Sequence, residues 1–274
     1  MVNNSYKPGL GRALAERFLL RPGTTVVAGV RDPQASTSRS LSELKQGEGA
    51  KLITVKIEST SDTDAQEAVE LLKTQHGIDK LDIVVANAGY GTVYGDLSQV
   101  KPSEAKELFD INALGPLRLF QAVRPLLEAS ESNPRFVLIG SPIASIAEME
   151  KAPWPMFAYG MSKTPAHWLT RKVHVESPKL TAFVVDPGFM QTDTGNHGAR
   201  HFGIGDKAFV PVDTAGDFVV GQVSHRGPYS TFMMQLLTCL NRLTKPPERN
   251  LVASLSASMS RAVLSSGNLI AACT

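Results

Sequence analysis

Short apolar runs recur along the first two thirds of the chain, at consecutive positions instead of alternate ones. They are Thr24–Val30, Leu52–Val55, Leu81–Val85, Phe136–Ile139 and Leu180–Val185. A half-exposed strand alternates apolar and polar residues, whereas continuous β-branched runs suit strands buried on both faces of a parallel sheet. Between the runs the apolar residues fall at helical spacing. Arg12–Leu20 follows a glycine-rich turn, and Asp64–Gln75 carries Ala65, Ala68, Val69, Leu71 and Leu72 mostly on one side. Ser103–Leu127 is long enough for one helix bent at Pro116, or for two pieces. Strand and helix in alternation predict an α/β fold: a doubly wound, mostly parallel, Rossmann-type sheet of about six strands in a three-layer sandwich.

The pattern changes from Ser224 onward, where Glu248 is the single acidic residue. Phe232, Leu236, Leu240 and Leu243 could share one face of a helix, and Leu251–Thr274 shows no partner pattern. Residues 224–274 are therefore expected to form an atypical tail and not a domain.

Composition narrows the partners. The chain has 274 residues, 42% hydrophobic and 20% charged, with a formal net charge of +2. That balance offers no clustered basic excess for nucleic acid or an anionic membrane. Cys239 and Cys273 are too few and too far apart for a disulfide framework or a zinc site. Met1–Pro8 lacks an apolar signal core, and no apolar run approaches the ~18 residues of a membrane span, so a cytoplasmic location is expected.

In a doubly wound sheet ligands bind at the carboxyl ends of the strands, which directs attention to the loops there. Tyr159 and Lys163 stand four apart, a spacing that puts both on one helix face. A tyrosine is a weak acid, with an ordinary pKa of about 10, and a nearby ammonium favours its phenolate. Such a tyrosine can hand its proton to a carbonyl oxygen. Ser141 follows the strand ending at Ile139 and could donate to the same oxygen. Asn87-Ala88-Gly89 and Gly91 follow the strand Leu81–Ala86, where glycine lets a flat ligand approach. Asn112 lies within an apolar helical stretch, where its amide needs partners. Each feature alone is equally compatible with a plain turn, a surface residue or a chance spacing.

Taken together, Asn-Ala-Gly, the mid-helix Asn, Ser, Tyr-x-x-x-Lys and Asp186-Pro187-Gly188 stand in the order that resembles the short-chain dehydrogenase/reductase family. The resemblance runs from about Gly9 to Val223, so residues 1–223 are expected to form one dinucleotide-binding reductase domain. It implies Tyr159 as proton donor and Lys163 as both its activator and a ribose ligand. Ser141 would polarise the carbonyl, and Asn112 would hold a relay water. The cofactor would meet Gly9, Leu10, Gly11, Asn87, Gly89, Pro187, Gly188, Met190 and Thr192. Arg31, after the strand Thr24–Val30, would pair with a 2′-phosphate and so select NADP, while Glu58 would lie near the adenine. A small carbonyl substrate and a homodimer or homotetramer are also implied. Within the family, Phe136–Ile143, Leu180–Phe183, Gln191–Asp193 and Gly198–Arg200 are similar to fungal ketoreductases of aromatic polyketides. Met149, Trp154, Met156 and Phe157 supply an apolar, aromatic segment ahead of Tyr159.

The pattern also breaks. Asn4 and Ser5 stand where the family has Thr and its first turn glycine, Pro8 precedes Gly9, and little remains upstream for a first, central strand. The first strand is thus read as truncated. Pro165 interrupts the hydrogen bonding of the helix that carries Tyr159. With the tail expected to stay unpacked, the chain is expected to be barely stable. Two other readings stay open, a cofactor-binding regulatory protein without turnover and a defective truncated product.

Overall fold

The computed structural model describes residues 9–92, 94–95, 97–151, 154–224 and 268–272. The chain runs through α1 (Leu10–Leu19), β1 (Thr25–Val30), a short α2 (Ser36–Arg39), β2 (Lys51–Lys56), α3 (Asp64–His76) and β3 (Ile83–Ala86). It continues through α4 (Pro102–Phe109), a wide π-type turn at Asp110–Leu114, α5 (Gly115–Glu128) and β4 (Arg135–Ile139). Then come α6 (Phe157–Glu176), β5 (Thr181–Val185), α7 (Asp193–His201), α8 (Val212–Ser224) and β6 (Asn268–Ala272). Among the described residues six strands form one parallel sheet in the order β2-β1-β6-β3-β4-β5.

Two apolar layers cover this sheet. On one face Leu72, Leu126, Phe136 and Leu138 pack together with residues of α3, α5 and α6. On the other, Leu14 and Phe18 of α1 and Val219 of α8 close over Val26. All five residues of β4 are buried, which is why its apolar positions are consecutive and not alternate. Arg17 of α1 reaches Asp213 and Asp217 of α8 at 3.3 and 2.5 Å, holding these outer helices together.

The stretch Ser103–Leu127 is two helices, and the break is the turn at 110–114. Pro116 sits at the first turn of α5, where a missing N–H leaves no ladder bond unmade. Pro165 does not end α6, which continues through it to Glu176.

The centre of the sheet differs from expectation. The tail was expected to stay unpacked beside a truncated first strand, yet Asn268–Ala272 lies between β1 and β3. Ile270 is in register with Val27 on one side and Val84 on the other. The physical reason is backbone pairing. A gap there would leave facing rows of N–H and C=O groups unmatched, and any extended segment that can reach them will pair. The helix read over Phe232–Leu243 and the turn positions Asn4, Ser5 and Pro8 lie outside the described residues.

Candidate active site

The loops at the carboxyl ends of β3, β4 and β5 converge on the start of α6. Tyr159 and Lys163 occupy one face of that helix, with Lys163 Nζ 5.8 Å from the centre of the Tyr159 ring. Lys163 is buried, and its ammonium donates to the carbonyl of Ile139, the last residue of β4, at 2.9 Å. Ser141 lies two residues further along this strand exit, where its hydroxyl favours the Tyr159 phenolate. Two glycines let the loop after β3 close onto these groups. A methyl at Gly91 would lie 2.8 Å from the Tyr159 ring, and one at Gly89 would lie 3.2 Å from both Lys163 Nζ and Asn112 Oδ1.

Asn112 sits in the π-type turn and is fully buried. Its amide oxygen accepts from the Tyr90 N–H at 2.9 Å. Its nitrogen donates to the Tyr90 carbonyl at 2.7 Å and to Ser162 Oγ at 2.9 Å. Ser162 in turn donates to the carbonyl of Tyr159 at 2.8 Å. The Asn112 side chain is thus a clamp joining the loop after β3 to α6. The wide turn is what brings a mid-helix residue inward; such turns recur at functional sites.

Electrostatically the site resists charge. Burial pushes the Tyr159 phenol up to about 12, opposed by the Ser141 hydroxyl and reinforced by the Asp186 carboxylate. Lys163 makes its short contact with Ile139, and burial brings its own pKa down to about 8. Burial likewise raises Asp186, against a 2.9 Å bond from the Gly188 N–H. His167, one turn beyond Lys163, is pushed down to about 4 by burial and by that neighbouring lysine. Its Nε2 accepts the Ser141 N–H at 3.3 Å.

The positions expected to meet a dinucleotide line the same end of the sheet. Gly9 precedes α1 without a side-chain cap, no acidic residue stands in the first turn, and a methyl on Gly9 would touch nothing within 4 Å. Among the described residues nothing caps the first amides of α1, at Leu10 and Gly11, and such amides favour an anion. Arg31 is exposed just after β1. The neighbouring Asp32 is turned into its own loop, where its carboxylate accepts from the Gln34 N–H at 2.8 Å. Glu58 borders a cleft with Gly29, Ser59, Ala88 and Arg118, and Asn87 opens the loop after β3. Past β5, Pro187 leads to Gly188, whose φ of 78° favours a residue without a side chain. Met190 pairs with Val210, and Thr192 caps α7 by accepting the Gly195 N–H at 3.1 Å. These residues fit a dinucleotide: an uncapped helix start, an exposed arginine and a buried lysine all lie toward the carboxyl ends of the strands.

Three features are assembled only by the fold. His167 and Ser162 act through contacts across the fold, and their spacing from Lys163 and Tyr159 on α6 was the only available signal. The third is a set of rings. Tyr94 of the loop after β3 stacks on His201 and His197 of α7 at 4.3 and 5.6 Å, and Phe202 lies edge-on at 5.3 Å. Trp154 packs against Phe202 at 5.2 Å.

Known proteins share this organisation. The short chain dehydrogenase family profile matches residues 6–200. A norsolorinic acid ketoreductase of Aspergillus parasiticus is 44% identical over 196 residues, covering 71% of this chain and 72% of that protein. One of Dothistroma septosporum is 46% identical over 197 residues, covering 71% and 73%. Among solved structures, a carbonyl reductase from Pseudomonas aeruginosa matches with a TM-score of 0.63 and 26% identity, covering 80% of this chain and 87% of that one. An NADPH-bound carbonyl reductase from chicken fatty liver shares the fold, with a TM-score of 0.67, 20% identity and coverage of 81% and 89%.

Proposed function

The chain belongs to the short-chain dehydrogenase/reductase family, and from that premise we propose that it is an NADPH-dependent ketoreductase acting on an aromatic polyketide. The observation that carries this reading is the meeting of Tyr159, Ser141 and Lys163 at the exit of β4. The names of its relatives, norsolorinic acid ketoreductases, support the substrate class.

A bound reduced nicotinamide would supply the hydride that reduces the carbonyl carbon. Tyr159 holds the proton that the carbonyl oxygen takes up, so the product is a secondary alcohol. Ser141 is placed to donate to that same oxygen and favours the phenolate left behind. Lys163, kept between Ile139 and the loop at Gly89, is placed to bind the ribose and to bring positive charge toward the phenol. Asn112 keeps the loop after β3 closed on these groups. The α1 amides beginning at Leu10 and Gly11 would hold the pyrophosphate. Arg31 would pair with a 2′-phosphate, a role that Asp32, engaged by the Gln34 N–H, does not oppose. We assign the active form as a homodimer or homotetramer, which light scattering on the purified chain tests.

Among the described residues no helix is long and apolar enough to cross a membrane. The deciding experiment compares kcat/KM with NADPH and NADH on an aromatic ketone. NADPH should be preferred and Arg31→Glu should weaken that preference. Equal values for the two cofactors would overturn the NADPH assignment, and NADPH binding without oxidation across a ketone panel would overturn the reductase.

A further inference from the structure

The ring cluster has no part in the proton chemistry, and it lies beside the start of the helix that carries Tyr159. It joins three segments that leave the sheet at its carboxyl end. Tyr94 comes from the loop after β3, Trp154 from the loop after β4, and His197, His201 and Phe202 from α7 and its end, after β5. The Tyr94 ring is nearly parallel to both imidazoles, at 22° to His197 and 18° to His201. Backbone pairing holds Tyr94 beside the helix of Tyr159. The Gly95 N–H donates to Pro155 at 2.8 Å, and the Phe157 N–H donates back to Gly95 at 3.4 Å. Between the two histidines, Gly198 lets α7 come close, since a methyl there would lie 3.2 Å from the Tyr94 hydroxyl. Burial raises the Tyr94 phenol, which keeps it neutral. Trp154 retains 44% exposure, more than a ring serving core packing alone would keep.

We propose that Tyr94, Trp154, His197, His201 and Phe202 form the outer wall of the substrate pocket and select flat, fused-ring ketones over alicyclic ones. This rests on the ketoreductase reading and adds to it the residues that choose the substrate. Flat rings gain by offset or edge contact with other rings beyond the apolar area they cover, and a saturated ring of equal size gains only the area. The phenol and the imidazoles also offer hydrogen bonds to hydroxyls at the rim of a polyphenolic substrate.

The test uses 2-acetylnaphthalene and cyclohexanone as paired substrates with NADPH. In Tyr94→Leu and His201→Leu the ratio of kcat/KM between the two ketones should fall about tenfold, chiefly through KM for the naphthyl ketone. Tyr94→Phe, which keeps the ring, should restore it. An unchanged ratio in both leucine variants overturns the proposal. A second readout needs no turnover. The chain has two tryptophans, Trp154 and Trp168, so Trp168→Phe leaves Trp154 as the sole indole emitter. Titration with anthraquinone-2-sulfonate should quench that emission saturably, and absence of saturable quenching also overturns the wall. Saturable quenching without oxidation of NADPH on any ketone would sink the reductase reading and leave the wall. Reduction of both ketones with an unchanged ratio in the leucine variants would do the reverse.

Discussion

Tyr159 and His167 show how burial sets chemistry one residue at a time. Tyr159→Phe keeps the ring against Gly91 and removes only the proton. The fold and NADPH affinity should survive while kcat falls roughly 10²–10⁴-fold, read by steady-state kinetics beside dye-monitored melting. Lys163→Met should lose rate and cofactor affinity together, because the proposed function gives one ammonium both tasks. His167 yields a pH prediction. Its pKa falls from an ordinary 6.5 to about 4 in the folded chain, through burial and the nearby Lys163. The folded imidazole is therefore neutral while an unfolded one takes up a proton as pH falls through 6.5. Its contribution to stability is present above that pH and is lost progressively down to pH 4, to a total of about 3 kcal/mol. Urea midpoints measured between pH 7 and pH 4 should show this slope, and His167→Gln, which accepts the Ser141 N–H without titrating, should flatten it.

At the scale of elements, the π-type turn between α4 and α5 matters most. It turns Asn112 inward so that one side chain satisfies both backbone groups of Tyr90 and meets Ser162 of α6. Asn112→Leu would remove the partner of the Tyr90 backbone groups and of the buried Ser162 hydroxyl, at about 1–3 kcal/mol for each group kept from water. A loss of about 2–4 kcal/mol in urea unfolding is expected. KM for NADPH should rise with it, because the loop at Gly89 is no longer held. Normal stability with normal KM would show that the clamp is idle. The link from Asn112 to Tyr90 was invisible in the sequence, since it spans 22 positions and depends on a helix irregularity that no apolar period encodes.

For the whole molecule, the decisive feature is β6. Pairing on both sides makes it the bridge between the β2-β1 half of the sheet and the β3-β4-β5 half. A proline lacks the N–H that a central strand needs. Ile270→Pro should therefore lower Tm by about 3–10 °C, the shift given by a loss of roughly 1–3 kcal/mol in a chain of this size. Ile270→Val keeps the donor and should melt like the parent. Equal melting of the proline variant and the parent would mean that β6 does not hold the sheet together.

What the sequence determined on its own was everything carried by short-range pattern. Consecutive apolar runs mark β1, β3 and β4 because both of their faces are buried, whereas the run of the edge strand β2 buries only Val55. The four-residue spacing puts Tyr159 and Lys163 on one face because a helix repeats every 3.6 residues. The ordered set Asn112, Ser141, Tyr159, Lys163 and Pro187-Gly188 pointed to the family. The tertiary structure decided what depends on distant contacts or on backbone alone. The phenol of Tyr159 rises because of what surrounds it, and Lys163 lies against Ile139 through the packing of α6 on β4. The ring wall is assembled from three loops far apart in the chain. Residues 268–272 enter the centre of the sheet because backbone pairing is blind to side-chain pattern, so a place between two strands can be filled by a segment whose sequence announces nothing.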